Sequence, residues 1–264
     1  MSVRKEANAV LAIAVRDLLR LRREWPSTLL FSFFFPVAFL GLLGGLIAEN
    51  LASGLPFNFL QFALVGLVAC MGAQYTTMNV TSLVEERETG LTQEIFVAPV
   101  SRFTIIAGKI LGGSASCVLQ IAPFFLVAWA LGAPLTFGLV TGILWVLPLA
   151  LLLGGAMGVL LAGIFANSPK AVDQAVILVI FPQMFLSGAV IPISQSSGWL
   201  SWLVRLMPVT YLVDLMRTAA YRGTSVYGNL QLYAPWVDVA VLLAVSLAFF
   251  VAGTLLFASR ERNR

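Results

Sequence analysis

The sequence contains no histidine. That removes the commonest metal ligand and the usual general base at neutral pH, and with them His-built zinc sites and Ser-His or Cys-His catalysis. There are only two cysteines, Cys70 and Cys117, both inside apolar runs. Two such thiols make no disulfide framework and read as small packing residues. The one Gly-Lys pair, Gly108-Lys109, lacks both the leading glycine and the following Ser or Thr of a phosphate-binding loop. Nucleotide hydrolysis is therefore not expected on this chain. Paired carboxylates within the apolar runs are also missing, which excludes an intramembrane aspartyl mechanism. Charge is scarce: 11% of the 264 residues, against roughly 25% in a soluble domain. No basic face with interleaved aromatics accompanies the net charge of +4, so no nucleic-acid partner is expected.

What remains is apolar. Hydrophobic residues make up 59% of the chain, and the mean hydropathy is +0.94. So much apolar surface requires a bilayer as solvent. Six runs are long enough to cross one as helices: about 27–48, 60–83, 103–131, 139–165, 171–191 and 236–258. The basic residues before the first run continue to Arg22 and Arg23, and the run is too long for a signal peptide's apolar core. It is expected to be a retained span.

Charge orients the spans. Arg4, Lys5, Arg16, Arg20, Arg22 and Arg23 precede the first; Arg87, Arg102 and Lys109 lie around the second loop; Lys170 and the tail arginines complete the set. With six spans these share one side, while segments 49–59 and 132–138 carry no Lys or Arg. The expectation is a multi-pass protein of the cell (inner or plasma) membrane with both termini cytoplasmic.

Two stretches lie apart from the spans. In 1–26, apolar residues from Val3 to Trp25 recur every three or four positions, with Arg16, Arg20 and Arg23 on another face. This predicts an amphipathic helix in the inner interface, followed by one transmembrane domain over 27–264. Within segment 193–228, the stretch Trp199–Tyr221 is apolar enough to tempt a seventh span, but Arg205, Asp214 and Arg217 each cost about 2.5–3.5 kcal/mol at mid-membrane. It reads instead as one or two amphipathic helices dipping into the outer leaflet, broken at Pro208. There Asp214 and Arg217 can pair at i, i+3, and Arg205, Arg217 and Arg222 sit near headgroups.

Chemistry is thin inside the spans. Gln74, Asn79, Gln120, Gln174, Gln183 and Ser187 are open to two roles, interhelical hydrogen bonding or contact with a transported molecule. Phe31, Phe33, Phe34 and Phe35 either line a route for an apolar molecule or face lipid. The pairs Gly41/Gly45, Gly108/Gly112 and Gly154/Gly158 permit close helix approach without identifying an interface. The densest polar feature is segment 84–102, where Glu85, Glu86, Glu88 and Glu94 surround Arg87, followed by Ile95-Phe96-Val97 and a stop at Pro99. A short helix with an acidic and an apolar face suits docking in a groove.

Glu86-Arg87-Glu88-Thr89-Gly90-Leu91-Thr92-Gln93-Glu94-Ile95-Phe96-Val97-Ala98-Pro99-Val100-Ser101-Arg102 resembles the cytoplasmic loop of ABC-2 type transporter permeases. Phe185–Pro192, with Gly188 and Pro192, is similar to that family's outer end of the fifth span. Pro208–Arg217, with Tyr211, Asp214 and Arg217, is similar to its outer re-entrant segment. Leu91-Thr92 departs from the Thr-Leu order of many relatives. The resemblance implies an all-α permease of the daunorubicin- or multidrug-exporter kind, of the sort found in antibiotic resistance. It would pair with a second permease chain, identical or related, and move a hydrophobic or amphipathic substrate. A separate ATP-binding-cassette subunit would hold ATP and magnesium, leaving this chain without cofactor or metal. Glu85, Glu86, Arg87, Glu88, Gly90, Glu94, Phe96 and Pro99 would form the coupling element. The N-terminal interfacial helix, with Arg16, Arg20 and Arg23, would help hold the ATPase, and Phe31, Phe34, Phe35, Gln74, Asn79 and Gln183 are candidates for the substrate path. The alternative is a secondary transporter or channel that needs no ATPase.

The orientation is checked with reporter fusions. A fusion after Gly228 is expected to read external and one at Arg264 cytoplasmic; an internal Gly228 would remove the re-entrant segment from this topology.

Overall fold

A computed structural model describes residues 3–44, 57–88, 102–166, 168–191, 198–224 and 227–262. Among these the chain is helical throughout, and six helices are long and apolar enough to cross a membrane. The first is α1 (Val3–Ser32), continued by the short α2 (Phe34–Pro36) and a π-helical segment, Val37–Leu43. Then come α3 (Phe59–Glu88), α4 (Arg102–Ala130), α5 (Phe137–Ile164) and α6 (Pro169–Leu186). Two shorter helices, α7 (Trp199–Leu206) and α8 (Pro208–Ala220), precede the one-turn α9 (Tyr227–Leu230) and the final α10 (Pro235–Arg262).

Local signals set several ends. The side chain of Thr136 caps α5 by accepting from the Leu139 N–H, and Ser168 caps α6 by accepting from Ala171 N–H, with Pro169 in the first turn. Pro36 supplies no N–H to the helix it interrupts, and the chain beyond it winds as a π-helix. The break between α7 and α8 falls at Met207, just before Pro208, as the sequence predicts.

α3 is the hub of the packing. From Phe59 to Ala73 its only strongly polar side chain is Gln61, and an all-round apolar helix is one that others surround. Of its most apolar window 78% is buried, against 17% for α10 at the edge. α4, α5, α6 and α8 all pack on α3, while α1 lies mainly along α4 and α10 along α5.

Two of the three glycine pairs are helix seats; of the third, Gly41 meets only its own segment and Gly45 lies outside the described residues. A Cβ on Gly154 would collide with the carbonyl oxygen of Ala73, and one on Gly158 would stand 2.7 Å from Val80 Cβ, so this pair lets α3 lie on α5. Gly108 and Gly112 seat α1 on α4: a Cβ there would stand 2.7 Å from Ile13 Cβ and 2.7 Å from Asp17 Cβ respectively. Close approach multiplies van der Waals contact, which must hold helices together where lipid is as apolar as leucine.

Three features differ from the sequence reading. α1 runs unbroken through Pro26, so the boundary at 26 is not a break in the helix. Its protein-facing side passes through Ile13 and Asp17, while Leu18 and Trp25 of the predicted apolar stripe are about half exposed, at 49% and 51%. Glu85 and Glu86 belong to the last turn of α3 rather than to a loop.

Replacing Gly154 by valine is expected to cost about 3 kcal/mol or more by overpacking. Gly138→Ala, into open space, is expected to leave stability unchanged or slightly higher. Thermal unfolding in detergent separates the two; equal melting would show that α3 does not depend on this seat.

Candidate functional site: a charged hub and the cavity beside it

Lys109 sits well inside α4 and is only 2% exposed, so its ammonium must be neutralised within the chain. Its Nζ lies 2.6 Å from Glu86 Oε1, 3.4 Å from Ser82 Oγ and 3.4 Å from Asp17 Oδ2. Glu86, also buried, accepts from Arg16 Nη2 at 3.1 Å and from Arg20 Nη1 at 3.5 Å. Arg16 in turn donates through Nε and Nη2 to Asp17 Oδ1, at 3.1 and 2.9 Å. Three helices are thereby joined at one end of the bundle: α1 by Arg16, Asp17 and Arg20, α3 by Ser82 and Glu86, and α4 by Lys109. Gly112 makes this possible, because the absent side chain leaves room for Asp17 against α4.

Beside the hub, α1, α2, α3 and α4 line an open cavity of about 540 Å³. Its charged end carries Asp17, Arg20, Glu24 and Lys109. Its middle carries Asn79, Ser82, Ser116 and Gln120, and its far end Phe31, Phe35, Gln74 and Tyr75. Of the six residues expected on a substrate path, Phe31, Phe35, Gln74 and Asn79 therefore share this cavity. Phe34 does not line it and is 68% exposed. Gln183 is buried elsewhere, beside a small void with Cys70, Thr77 and Met184.

At the opposite end of the bundle, α8 is fastened by two buried charges. Asp214 and Arg217 do not pair with each other as i, i+3 spacing suggests; each is engaged with backbone instead. Asp214 accepts from the N–H groups of Leu232 and Tyr233, at 2.9 and 2.7 Å, and so holds the approach to α10. Arg217 donates through Nη2 to the carbonyls of Gly188 and Ala189, at 2.6 and 3.0 Å, and lies 3.5 Å over the Phe62 ring of α3. It is buried, which corrects its expected place near headgroups; Arg205 and Arg222 are exposed. The carbonyls left open at the end of α6 supply the reason, since a guanidinium satisfies them where water is excluded. Burial pushes the Asp214 carboxyl above its ordinary range, against the pull of the two N–H donors and Arg217. Burial likewise pushes Arg217 down to about 10, with Tyr221, Asp214 and Cys70 opposing. Gly188 holds a φ of +79°, a turn conformation that favours glycine. Tyr211 donates to the Arg205 carbonyl and stacks on Tyr233 at 5.2 Å.

Of the residues expected to couple to an ATPase, Glu86 faces inward to the hub, while Glu85 is exposed on the last turn of α3. Arg87 and Glu88 complete that turn, and Gly90, Glu94, Phe96 and Pro99 lie outside the described residues, as does Pro192. Arg16 and Arg20 converge on Glu86; Arg23 is exposed and does not line the cavity. The sequence reading missed Asp17 and placed Lys109 only near a span end. The available signal was an acid set directly after Arg16 on α1, and a lysine between the two glycines of a helix-seating pair.

The comparisons with known proteins agree with this architecture. The ABC-2 type transporter family model matches residues 8–221. A probable doxorubicin resistance ABC transporter permease protein, DrrC of Mycobacterium tuberculosis, is 25% identical over 235 residues, which cover 87% of this chain and 84% of that protein. The daunorubicin resistance ABC transporter permease protein DrrB1 of Streptomyces coeruleorubidus is 23% identical over 87% of this chain and 76% of its own length. The inner membrane transport permease YadH of Escherichia coli is 24% identical over 79% of this chain and 81% of its own length. With six membrane-length helices and a family match running from α1 through the end of α8, the chain belongs to the ABC-2 type transporter permease family.

Proposed function

We propose that this chain is the membrane subunit of an ABC exporter, driven by a separate ATPase subunit docked on segment 89–101. The carrying observation is the hub. Glu86 stands at the end of α3, immediately before that segment, and ties it to α1 and α4 through Arg16, Arg20 and Lys109. A force applied to 89–101 acts on three helices at once, and these are the helices that wall the cavity. The hub end is the cytoplasmic end in this reading, by the lysine and arginine distribution. α7 and α8 then lie at the outer face, where Trp199 and Trp202, exposed at 75% and 78%, suit the headgroup region.

The cargo is a hydrophobic or amphipathic molecule. A cavity with charges at one end and phenylalanines at the other accepts a molecule with a polar head and an apolar body. Relatives named for doxorubicin and daunorubicin resistance support the same class. The transporting unit contains two permease chains, identical or related, in the cell membrane. ATP and magnesium belong to the partner.

Two measurements test this reading. Co-expressed with an ABC ATPase encoded beside it, the chain is expected to co-purify with that subunit and to export amphiphiles only when ATP is hydrolysed. Uphill transport by the chain alone in liposomes would sink the proposal. Within the chain, Lys109→Met leaves Glu86 and Asp17 without their ammonium and is expected to cost about 3–5 kcal/mol. The double variant Lys109→Met with Glu86→Gln is expected to recover part of that loss. Additive losses in a double-mutant cycle would show that the hub does not couple α3 to α4.

A further inference from the structure

The cavity beside the hub is a cleft between two helices that do not close on each other. α1 and α3 each pack along α4 and scarcely on one another. The hub ties them at one end, through Arg16 and Arg20 to Glu86. At the other end the chain returns to α3, where a Cβ on Gly44 would stand 2.8 Å from Leu60. Between these ties α4 forms the floor. The two lips are exposed: Phe31 on α1 at 75% and Met78 on α3 at 49%. The cleft therefore opens sideways, toward whatever surrounds the bundle.

What it shows on that side is polar. Each helix contributes a pair at i, i+4 spacing: Glu24 and Thr28 on α1, Tyr75 and Asn79 on α3, Ser116 and Gln120 on α4. The side chains of Tyr75 and Ser116 engage no protein group. Lipid tails cannot satisfy such groups, so something polar must lie over them. From Lys109 to Gln120 the floor runs about 17 Å, roughly half of a hydrocarbon core about 30 Å thick. Charge along the cleft is balanced. Two acids, Asp17 and Glu24, face two bases, Lys109 and Arg20, each pair 3.4 Å apart. From Thr28 to Phe35 the wall on α1 carries no charge.

We propose that this cleft is a hydrated inlet within a single permease chain, and that it takes the zwitterionic head of an amphiphile sideways from the surrounding leaflet. The two charges of such a head find a base and an acid in the pair Arg20 and Glu24, whereas a head with net charge leaves one partner unmatched. The neutral polar pairs receive the rest of the head. The apolar body stays outside the lips, against Phe31 and lipid, and never lies on the polar floor. That the leaflet is the inner one and the amphiphile is cargo rests on the exporter reading; hydration and head binding require no ATPase. A zwitterionic phospholipid and a free zwitterionic amphiphile offer the same chemistry, and the experiment separates them.

Single cysteines at Ser116 and Gln120 are compared with single cysteines at Val118 and Leu126, which lie on the same helix, are 52% and 54% exposed, and do not line the cleft. The native Cys70 and Cys117, both buried, set the background. The purified chain is held in nanodiscs of phosphatidylglycerol, whose head carries a net charge, and treated with a water-soluble methanethiosulfonate. The thiolate is the reacting form and needs water, so Ser116→Cys and Gln120→Cys are expected to react at least about tenfold faster than Val118→Cys and Leu126→Cys. Ser116→Cys exchanges a single atom and decides alone if Gln120→Cys fails to fold. Equal rates at all four positions would overturn the inlet. A dansyl-tagged undecyl phosphocholine is expected to slow Ser116→Cys at least about threefold at saturation. The matched trimethylammonium and sulfate, loaded to equal dansyl content, are expected to leave it nearly unchanged. Equal protection by all three heads, or none by the zwitterion, would overturn the head assignment. Protection by phosphatidylcholine mixed into the discs assigns the cleft to a lipid head, and its absence assigns it to a free amphiphile. Because no ATPase is present, a negative result leaves the exporter reading standing. Failure of ATP-driven export with labelling and protection intact removes that reading and keeps the inlet.

Discussion

The structure depends on where one buried ammonium finds its counter-charges. Lys109 is nearly inaccessible, in a helix otherwise suited to lipid, and an unpaired charge there would not be tolerated. Its partners come from two other helices, so neutralising it fixes α1 against α4 and the end of α3 against both. Hydrophobic burial cannot specify that arrangement. Lipid offers every helix an apolar environment, and sliding one helix along another costs little unless a polar pair or a close backbone contact sets the register. Here both devices coincide: Gly108 and Gly112 seat α1, and the lysine between them pairs with the acid that the second glycine admits.

The two ends of the bundle solve the same problem differently. At the hub, charged side chains bind charged side chains, and each has more than one partner: Glu86 has Lys109, Arg16 and Arg20. Partners of that kind can be exchanged as helices shift, because losing one contact leaves others. At the opposite end, Asp214 and Arg217 bind backbone groups whose positions their own helices fix. Those bonds hold a single geometry. Under the exporter reading, a network suits an end that moves under load, and backbone caps suit an end that keeps its shape.

Much of the fold was legible because the apolar runs are long and the charges sparse. The six membrane-length helices, the break at Pro208 and the all-helical class follow from length, hydropathy and proline chemistry alone. The site was legible only in part. Phe31, Phe35, Gln74 and Asn79 stand out as polar or aromatic side chains in or near spans, and they meet in one cavity. Gln183 looks the same in sequence and is buried elsewhere, since composition does not reveal which face of a helix meets a neighbour. Asp17 was obscured by the arginines around it, and α1 by its own amphipathic pattern. Part of its apolar stripe, at Leu18 and Trp25, faces outward, and what it turns to the protein at Asp17 is a charge. Asp214 and Arg217 show the limit of spacing arguments. At i, i+3 they can reach one another, but unsatisfied backbone groups nearby are the stronger claim on a buried charge.

α3 connects these two ends. It carries Glu86 in the hub and Phe62 beneath the Arg217 guanidinium, 24 residues apart, which is about 36 Å along a helix. Among the described residues it is the element on which α4, α5, α6 and α8 all pack. A helix with 78% of its most apolar window buried among neighbours resists bending independently of them, because close-packed contacts resist partial displacement. Under the exporter reading, movement of its hub end would be carried along the packed rod toward Phe62, which lies beneath Arg217. The carbonyls of Gly188 and Ala189, held by that same guanidinium, tie the end of α6 to the moving rod. Under the exporter reading, this is how a push on segment 89–101 reaches the opposite membrane face without any charged path through the bilayer.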